Sequence, residues 1–451
     1  MLHLDDEKVR AHLFEGNFGL ERENLRVTPE GFLAHTPNPF SGEGHIVRDF
    51  SEIQCEINTG VSSTPEACVA ELARYDEVEQ RTLACMERPE LLWPFSNPPY
   101  IRSDDDIPIA QFYDEEASKT AYRQYLSDRY GRYKMVFSGI HFNFSFADAL
   151  FKADFVAGKC EEAACGEGFE STGDDAAAFA AYKDAFYLDL AEKAVAFGWI
   201  MTAVTAASPL LDSSYAEKAN FGDDLYLGMG SVRCCELGYW NEFTPILDYS
   251  DIDSYAVSIS HYVGQGLIRQ PSELYYPVRV KPRGAYSLDT LQSGNTSHIE
   301  LRMFDLNPLY PAGVNVSDVY FAQLFLVWLA SLPAVRLSDA QQIQAAANFK
   351  RAAHYDLRTV KIDVPGWGID SVSHSATRLL AEMEAFLCDV GAPQKALDCL
   401  AFQRRKFTDP DGARYTHIVR GRFSGGFVQK GLQLAREYQK RALQTNQSAG
   451  E

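Results

Sequence analysis

The sequence predicts an α+β protein built on an antiparallel sheet. Five segments alternate apolar and polar residues with period two, the helical segments come in runs rather than one per strand, and the connections are long. A chain of 451 residues, 46% of them hydrophobic, has ample material for a core. Because no proline-rich linker or solenoid repeat divides it, we expect one domain over residues 1–451.

The predicted strands share one pattern, in which one face is apolar and the other polar. Successive side chains of a strand point to opposite faces, so Glu21 and Glu23 emerge together while Leu20 and Arg22 point away. Taken alone, such a strand is more typical of a sheet with one face in water. The five segments are GLERENLRV, DFSEIQCEINT, SGIHFNFSF, LYYPVRVK and HIELRMFDL.

Polar faces on several strands would together form a carboxylate-rich surface. If the strands are neighbours, these carboxylates crowd at a cost that only cations can offset. Hard oxygen ligands with one imidazole suit Mg²⁺ or Mn²⁺ better than a thiolate-seeking metal. Besides the pair on the first strand, the polar faces comprise Glu52, Gln54, Glu56 and Asn58 on the second, His141 and Asn143 on the third, and His298, Glu300 and Arg302 on the last.

Helical periodicity is clear in five further segments. Thr64 followed by Pro65, and the serines Ser317 and Ser373, are residue types that suit helix N-termini. Two uncharged runs, 194–211 and 319–335, are near or below the roughly 20 apolar residues that span a bilayer, so they predict buried helices. The helical segments are 64–86, 175–207, 317–334, 373–390 and 427–443.

Charge and cysteine usage exclude several classes of function. Lysine and arginine number 42 against 62 acidic residues, and the net charge of -20 argues against nucleic-acid or anionic-membrane partners. Nine cysteines without a CxxC pair, and an N-terminus without a signal peptide, predict a cytoplasmic protein with reduced thiols. The acidic segment 160–175 is expected to be a flexible surface insert, and residues 440–451 a polar tail.

Several segments, in this order, resemble the bacterial glutamate-cysteine ligase family. They are GLERENLRV, LLWPFSNPPYIRSDDDIPIAQF, YRQYLSDRYG, SGIHFNFSF and IELRMFDLNPLYPAGV. The resemblance is closest to the ligase half of bifunctional glutathione synthesis enzymes. It implies a glutamine-synthetase-like fold, a curved antiparallel sheet forming a funnel with helices outside.

The resemblance also implies an activity. ATP would phosphorylate the γ-carboxylate of L-glutamate, and the amine of L-cysteine would displace phosphate to give γ-glutamylcysteine. Phosphoryl transfer between anions depends on positioning and charge neutralisation, for which Mg²⁺ is suited. The implied partners are small molecules, and a separate glutathione synthetase would act on the product.

The same resemblance assigns roles to individual positions. A guanidinium can clasp a carboxylate or phosphate in two places, as implied for Arg302 on the transferred phosphoryl group and Arg233 on glutamate. Both are implied to be catalytic, together with Glu300. The implied metal ligands are Glu21, Glu23, Asp49, Glu56, His141 and Glu300, and the implied cysteine pocket is Phe50, Tyr122, Arg123, Leu126, Tyr239 and Tyr275.

Two alternatives and two local features stay open at this point. The fold also serves glutamyl ligases with another amine acceptor, and a catalytically silent regulatory relative would be marked by loss of a metal ligand. Just before the Glu300 strand, where members of the family commonly have glycine and tyrosine, this chain has GNTSHIELR. His298 in this segment either contacts the nucleotide or only fills space. Cys234 and Cys235 are more typical of small buried hydrophobic residues than of redox sensors.

Overall fold

The computed structural model of the chain describes residues 2–40, 42–162, 173–216, 222–294 and 296–445. Most of the predicted insert and the end of the predicted polar tail lie outside these residues. Within the described ranges, none of the helices combines the length and the apolar character that crossing a bilayer requires.

One seven-stranded antiparallel sheet organises the molecule. Its strands follow the order β2-β3-β1-β5-β9-β8, and β4 also pairs with β1. The strands of the described residues are β1 (Gly16–Val27), β2 (Ile46–Val47), β3 (Gln54–Asn58), β4 (Leu91–Trp93), β5 (Gly139–Phe146), β6 (Leu211–Asp212), β7 (Asp224–Leu225), β8 (Val278–Pro282), β9 (Thr296–Asp305), β10 (Lys361–Val364) and β11 (Gly368–Ser371). The five predicted strand segments thus belong to one sheet, which confirms the α+β prediction.

Six helices of the described residues pack against strands of this sheet, namely α2, α5, α6, α8, α9 and α15 of the following list. The helices are α1 (Glu7–Ala11), α2 (Pro65–Ala84), α3 (Ala117–Tyr130), α4 (Asp148–Glu162), α5 (Gly173–Phe197), α6 (Trp199–Thr205), α7 (Ile252–Gly264), α8 (Leu288–Gln292), α9 (Val316–Ser331), α10 (Asp339–Ala352), α11 (Val372–Asp389), α12 (Gln394–Thr408), α13 (Pro410–Ala413), α14 (Tyr415–Phe423) and α15 (Phe427–Thr445).

The predicted start of α2 is confirmed, whereas α9 and α11 begin two residues earlier than predicted, with Asn315 and Ser371 as N-caps in place of Ser317 and Ser373. Thr64 accepts a hydrogen bond from the Ala67 amide and precedes Pro65 at the first position of α2. The predicted helix over 175–207 is divided in two, with Gly198 between α5 and α6. A Cβ at Gly198 would lie 2.8 Å from the Phe349 ring, so the glycine permits close packing at the break.

The face of the sheet opposite the polar side chains carries the core. Phe18, Leu20 and Phe144 are almost completely buried, as are the apolar helices α6 and α9. Arg22, the residue between the two acids of β1, also lies on this face. Arg22 is buried and donates to Asp76 and Glu79 of α2, with nitrogen–oxygen distances of 2.7 Å for both. One face of β1 therefore anchors the fold and the other presents carboxylates.

Candidate active site

The polar faces of four neighbouring strands meet across the sheet. Glu21 and Glu23 lie on one side of β1, and the register sets Glu23 opposite Glu56 of β3. The register on the other edge of β1 sets Glu21 opposite His141 of β5. The pairing of β5 with β9 then brings Glu300 close to the imidazole. Side chains far apart in sequence are thereby placed together.

Glu21, His141 and Glu300 form a compact cluster that could hold a metal ion. Their ligand atoms all lie within 4.8 Å of one another, and within the part of the chain that the structure describes they are the one group of three or more such residues so placed. His141 Nδ1 lies 2.9 Å from Glu21 Oε2 and 3.7 Å from Glu300 Oε1. Asn143 donates to the other oxygen of Glu21 at 3.1 Å.

Three cationic side chains surround this cluster. Lys281 Nζ lies 3.6 Å from Glu21 Oε1 and 3.6 Å from Glu300 Oε1. Arg302 Nη1 donates to Glu300 Oε1 at 3.1 Å, and Arg279 Nη1 lies 3.6 Å from Glu300 Oε2. Opposite charges at these separations favour the ionised carboxylates.

The surroundings hold both carboxylates of the cluster ionised. Burial and the charge of Glu300 act to raise the pKa of Glu21. The hydrogen bond and charge of His141, together with Lys281, outweigh both and lower the pKa of Glu21 to about 2. Burial also acts to raise the pKa of Glu300, but the charge of Arg302 and the neighbouring cations lower it well below its usual range.

A second group of carboxylates lies beside the first and is less well compensated. Burial, followed by the charge of Asp49, raises the pKa of Glu56 well above its usual range. The pKa of Glu23 is also raised, mainly by burial, although the Gly139 amide donates to its Oε2 at 2.9 Å. Asp49 is partly exposed, and its Oδ1 lies 4.0 Å from Arg123 Nη2. These neighbouring anions would be stabilised by a cation.

Arg233 reaches the site from a loop rather than from the sheet. Its Nη1 donates to the carbonyls of Arg302 at 2.9 Å and Phe304 at 3.4 Å, so it is fastened to the end of β9. Asp305 anchors the same loop, accepting a hydrogen bond of 2.8 Å from the Ser231 hydroxyl. The guanidinium is thus held in place while its other nitrogens stay available.

Aromatic side chains form a pocket beside Arg233. The rings of Tyr239 and Tyr275 have centroids 4.0 Å apart, and burial raises the pKa of both hydroxyls well above their usual value. Tyr122 packs against the core cluster that contains buried Phe50 and Leu126. Burial raises the pKa of Tyr122 to about 12, so its hydroxyl stays protonated and can donate.

Two concave regions adjoin these residues. A narrow cavity of about 40 Å³ is lined by Arg233, Arg302, Tyr239 and Tyr275, so both predicted arginines and two of the predicted tyrosines share it. A larger cleft of about 680 Å³ lies further along the sheet. It is lined by residues of β1, β5 and β9, including His298, and by Lys183, Arg283 and exposed Val61.

Sequence reasoning missed several residues of the site. Arg279 and Lys281 lie on the polar face of a segment recognised as a strand, and the two-residue spacing was the signal that could have found them. Asn241, Glu273 and Tyr130 instead come from loops and a helix end, and they connect only through tertiary hydrogen bonds. No local pattern marks them.

Other predicted positions have different environments. Glu52 precedes β3 rather than continuing its acidic face, and it pairs with Arg48 at 3.1 Å because the chain turns before Gln54; its expected place in that row was wrong. Cys234 and Cys235 are buried, and burial raises the pKa of their thiols to about 11 and about 12. Such thiols are small core residues rather than reactive groups.

Comparison with known proteins gives one consistent family. The family model described as glutamate-cysteine ligase matches residues 1–267 and 243–352. The glutathione biosynthesis bifunctional protein GshAB of Listeria innocua is 33% identical over 335 residues, which cover 72% of this chain and 41% of that protein. GshAB of Pasteurella multocida is 27% identical over 453 residues, covering 98% of this chain and 55% of that protein. The chain therefore spans about half the length of these curated relatives or less.

Solved structures agree on the architecture. A bifunctional glutathione synthetase from Pasteurella multocida superimposes with a TM-score of 0.78 and 25% identity over 96% of this chain and 54% of that one. A glutamate–cysteine ligase from Francisella tularensis in complex with AMP gives a TM-score of 0.79 over 95% of this chain and 89% of that one. At 21% identity, this second likeness shows the fold alone.

Proposed function

Because the chain belongs to the glutamate-cysteine ligase family, we propose that it joins the γ-carboxylate of glutamate to the amine of cysteine, with ATP converted to ADP and phosphate. The observation that carries the proposal is the Glu21–His141–Glu300 cluster, placed beside Arg302 at the edge of a cavity that also contains Arg233. Carboxylates for cations and guanidinium groups for anions are what phosphoryl transfer requires.

The residues of the cluster fit Mg²⁺, with Mn²⁺ as an alternative. They offer carboxylate oxygens and one imidazole, and the buried Glu300 Oε2 accepts no hydrogen bond from any described residue. We propose that Glu21, His141 and Glu300 hold one ion and that Glu23, Asp49 and Glu56 complete the site. When bound, the metal supplies positive charge that neutralises the phosphates of ATP.

The chain's own cations hold the reacting anions. In this proposal, Arg302 contacts the phosphoryl group as it leaves ATP for the γ-carboxylate of glutamate. Arg233 clasps the glutamate, since its carbonyl contacts orient it towards the cavity it lines. Together they would keep the two anions in line and stabilise the charge that develops during transfer.

The pocket beside Arg233 is proposed to bind the acceptor. Tyr122, Tyr239 and Tyr275 keep protonated hydroxyls that can donate to the carboxylate of cysteine. The apolar side chains of this pocket exclude water, which would otherwise hydrolyse the acyl phosphate. The remaining members of the proposed pocket are Phe50, Arg123 and Leu126.

The large cleft is proposed to take the nucleotide, and His298 is one of its lining residues. A cleft of about 680 Å³ is large enough for ATP. Arg283 places positive charge along it, and Lys183, which pairs with Asp148 at 3.5 Å, lies in its wall. We infer that the sheet forms the funnel expected of glutamine-synthetase-like ligases, with the nucleotide at one end and the acceptor at the other. The cytoplasmic location and the need for a separate glutathione synthetase stay predictions.

A substrate panel with product masses tests the proposal. Phosphate release from ATP should require glutamate, cysteine and Mg²⁺ together, and the product should have the mass of γ-glutamylcysteine. Release with another amine but not with cysteine would favour a glutamyl ligase of different acceptor preference. No release with any amine would favour a silent relative.

Glu21→Gln tests the carboxylate cluster within the same panel. The exchange removes one negative charge with little change of shape, so turnover should fall at least about a thousandfold while the melting temperature changes little. Glu30→Gln is a matched control, because Glu30 is exposed just beyond β1. Equal turnover in both variants would remove Glu21 from the site.

A further inference from the structure

Lys281 occupies the space between the two carboxylates of the cluster. Its ammonium is equidistant from Glu21 Oε1 and Glu300 Oε1, at 3.6 Å from each. The side chain is 17% exposed, and it reaches the cluster from β8, which is separated from β1 by the two strands β5 and β9. A single cation that bridges two carboxylates stands where a divalent cation would bind the same oxygens.

The cluster is therefore charge-compensated without a metal. Two carboxylates, Glu21 and Glu300, face three basic side chains, Lys281, Arg302 and Arg279. The three basic side chains would oppose the entry of a divalent cation that comes without a nucleotide. Binding of the metal becomes favourable when a polyphosphate accompanies it, because the negative charges of the polyphosphate attract the same three side chains.

Lys281 differs from the two arginines in how easily it can change partners. Arg302 makes a hydrogen bond of 3.1 Å to Glu300, and Arg279 also donates to the carbonyl of Leu274 at 2.9 Å. Among the described residues, the hydrogen-bonding and ionic partners of the Lys281 ammonium are the two carboxylates, both at the longer distance of 3.6 Å. Its flexible stem and compact ammonium allow it to exchange a carboxylate for a phosphate oxygen at low cost.

We propose that Lys281 is the counter-ion of the Glu21–His141–Glu300 cluster when no metal is bound. When a divalent cation arrives with the nucleotide, the cation takes the place of the Lys281 ammonium between the carboxylates, and the ammonium contacts the phosphates instead. This rests on the proposed function, since it assumes that the cluster binds metal and ATP. It adds a condition, namely that free metal binds the cluster weakly and metal–nucleotide binds it well.

The test measures Mn²⁺ binding to nucleotide-free protein by electron paramagnetic resonance. Lys281→Met should bind Mn²⁺ about tenfold more tightly than the wild type, equivalent to about 1.4 kcal/mol, because the competing cation is gone. Lys281→Arg should bind as the wild type does. Lys361→Met, at an exposed position at the start of β10, is the matched control and should leave binding unchanged.

A double variant tests whether the tighter Mn²⁺ binding arises at the cluster. Adding Glu300→Gln to Lys281→Met should abolish the tighter binding, and Lys281→Met alone should raise the KM for ATP. Unchanged or weaker Mn²⁺ binding in Lys281→Met, or a gain that survives Glu300→Gln, would overturn the inference. Because the titration needs no turnover, its failure is distinct from a failure of the substrate panel.

Discussion

The position of Arg233 depends on the absence of a side chain at Gly139. A Cβ at this residue of β5 would lie 2.2 Å from Arg233 Cζ and 2.3 Å from one of its terminal nitrogens. No real contact is that short, so any side chain here must move the guanidinium. Gly139 therefore determines where Arg233 lies as much as the carbonyls that Arg233 contacts.

We expect Gly139→Ala to raise the KM for glutamate at least about tenfold, because the displaced guanidinium can no longer clasp the substrate. The melting temperature should change by only a few degrees, since the flexible end of a side chain moves rather than the backbone. Steady-state kinetics with varied glutamate, and thermal unfolding, measure the two effects.

The matched control for this substitution is Gly264→Ala at the last position of α7. A Cβ there meets nothing within 4 Å, so both the KM and the melting temperature should stay close to wild type. An unchanged KM for glutamate in Gly139→Ala would contradict the role assigned to Arg233.

Residue types and their alternation predicted the carboxylates of the site face but not the basic side chain of Lys281 that contacts them. Glu21, His141 and Glu300 could be inferred because each lies on the polar face of a recognisable strand, and the pairing of these strands in one sheet brings the three side chains together. Lys281 has the same parity, but lysine on a strand is usually a solvated residue, so its contact with two carboxylates required the strand order. Distance between strands is not encoded in local periodicity.

At the scale of elements, one buried asparagine connects three segments around the acceptor pocket. Asn241 donates to the Tyr130 hydroxyl at the end of α3 at 3.2 Å and to the Glu273 carbonyl at 2.9 Å. It also accepts from the Tyr275 amide at 2.8 Å, and it lies two residues from Tyr239. Because these segments come from separate parts of the chain, their mutual position depends on this side chain.

Asn241→Ala should loosen the pocket and raise the KM for cysteine about tenfold or more, with a smaller effect on the KM for ATP. The lost hydrogen bonds leave buried groups unpaired, so a loss of about 1–3 kcal/mol in the free energy of unfolding is also expected. Kinetics with each substrate varied in turn would show the selectivity, and denaturant unfolding would show the loss.

A variant of similar stability cost separates these effects. Asn315 caps α9 through the Ser317 amide at 2.8 Å, and Asn315→Ala should cost about 1 kcal/mol of stability without changing the KM for cysteine. A uniform rise of every KM in Asn241→Ala would argue against a specific role in the pocket. Hydrogen bonds that connect separate segments, such as those of Asn241, could not be predicted from the sequence, because loop residues have no periodicity that relates one segment to another.

At the scale of the whole molecule, the sheet separates chemistry from stability. Its site face is rich in carboxylates, whereas Arg22, between two acids of β1, lies on the core face with Asp76 and Glu79. Burial raises the pKa of Glu79 to about 8, although the charge of Arg22 opposes this shift. The sequence correctly predicted that Arg22 points away from the acids, but its buried partners on α2 depend on how the helix packs.

This raised pKa predicts a pH-dependent stability. Between the ordinary glutamate value near 4.5 and about 8, the folded protein retains a proton that the unfolded chain has lost, so the contribution of Glu79 is full at low pH and is lost as pH rises through this window. Glu79→Gln is neutral at every pH. We therefore expect the stability of the wild type relative to this variant to fall between pH 5 and 8 by on the order of 3 kcal/mol, which denaturant unfolding at several pH values can measure.

The control is Glu77→Gln, on the same helix and paired at the surface with Arg81, which should keep the wild-type dependence of stability on pH. Parallel profiles for wild type and Glu79→Gln would show that Glu79 is already ionised at low pH, and that the charge of Arg22 outweighs the effect of burial.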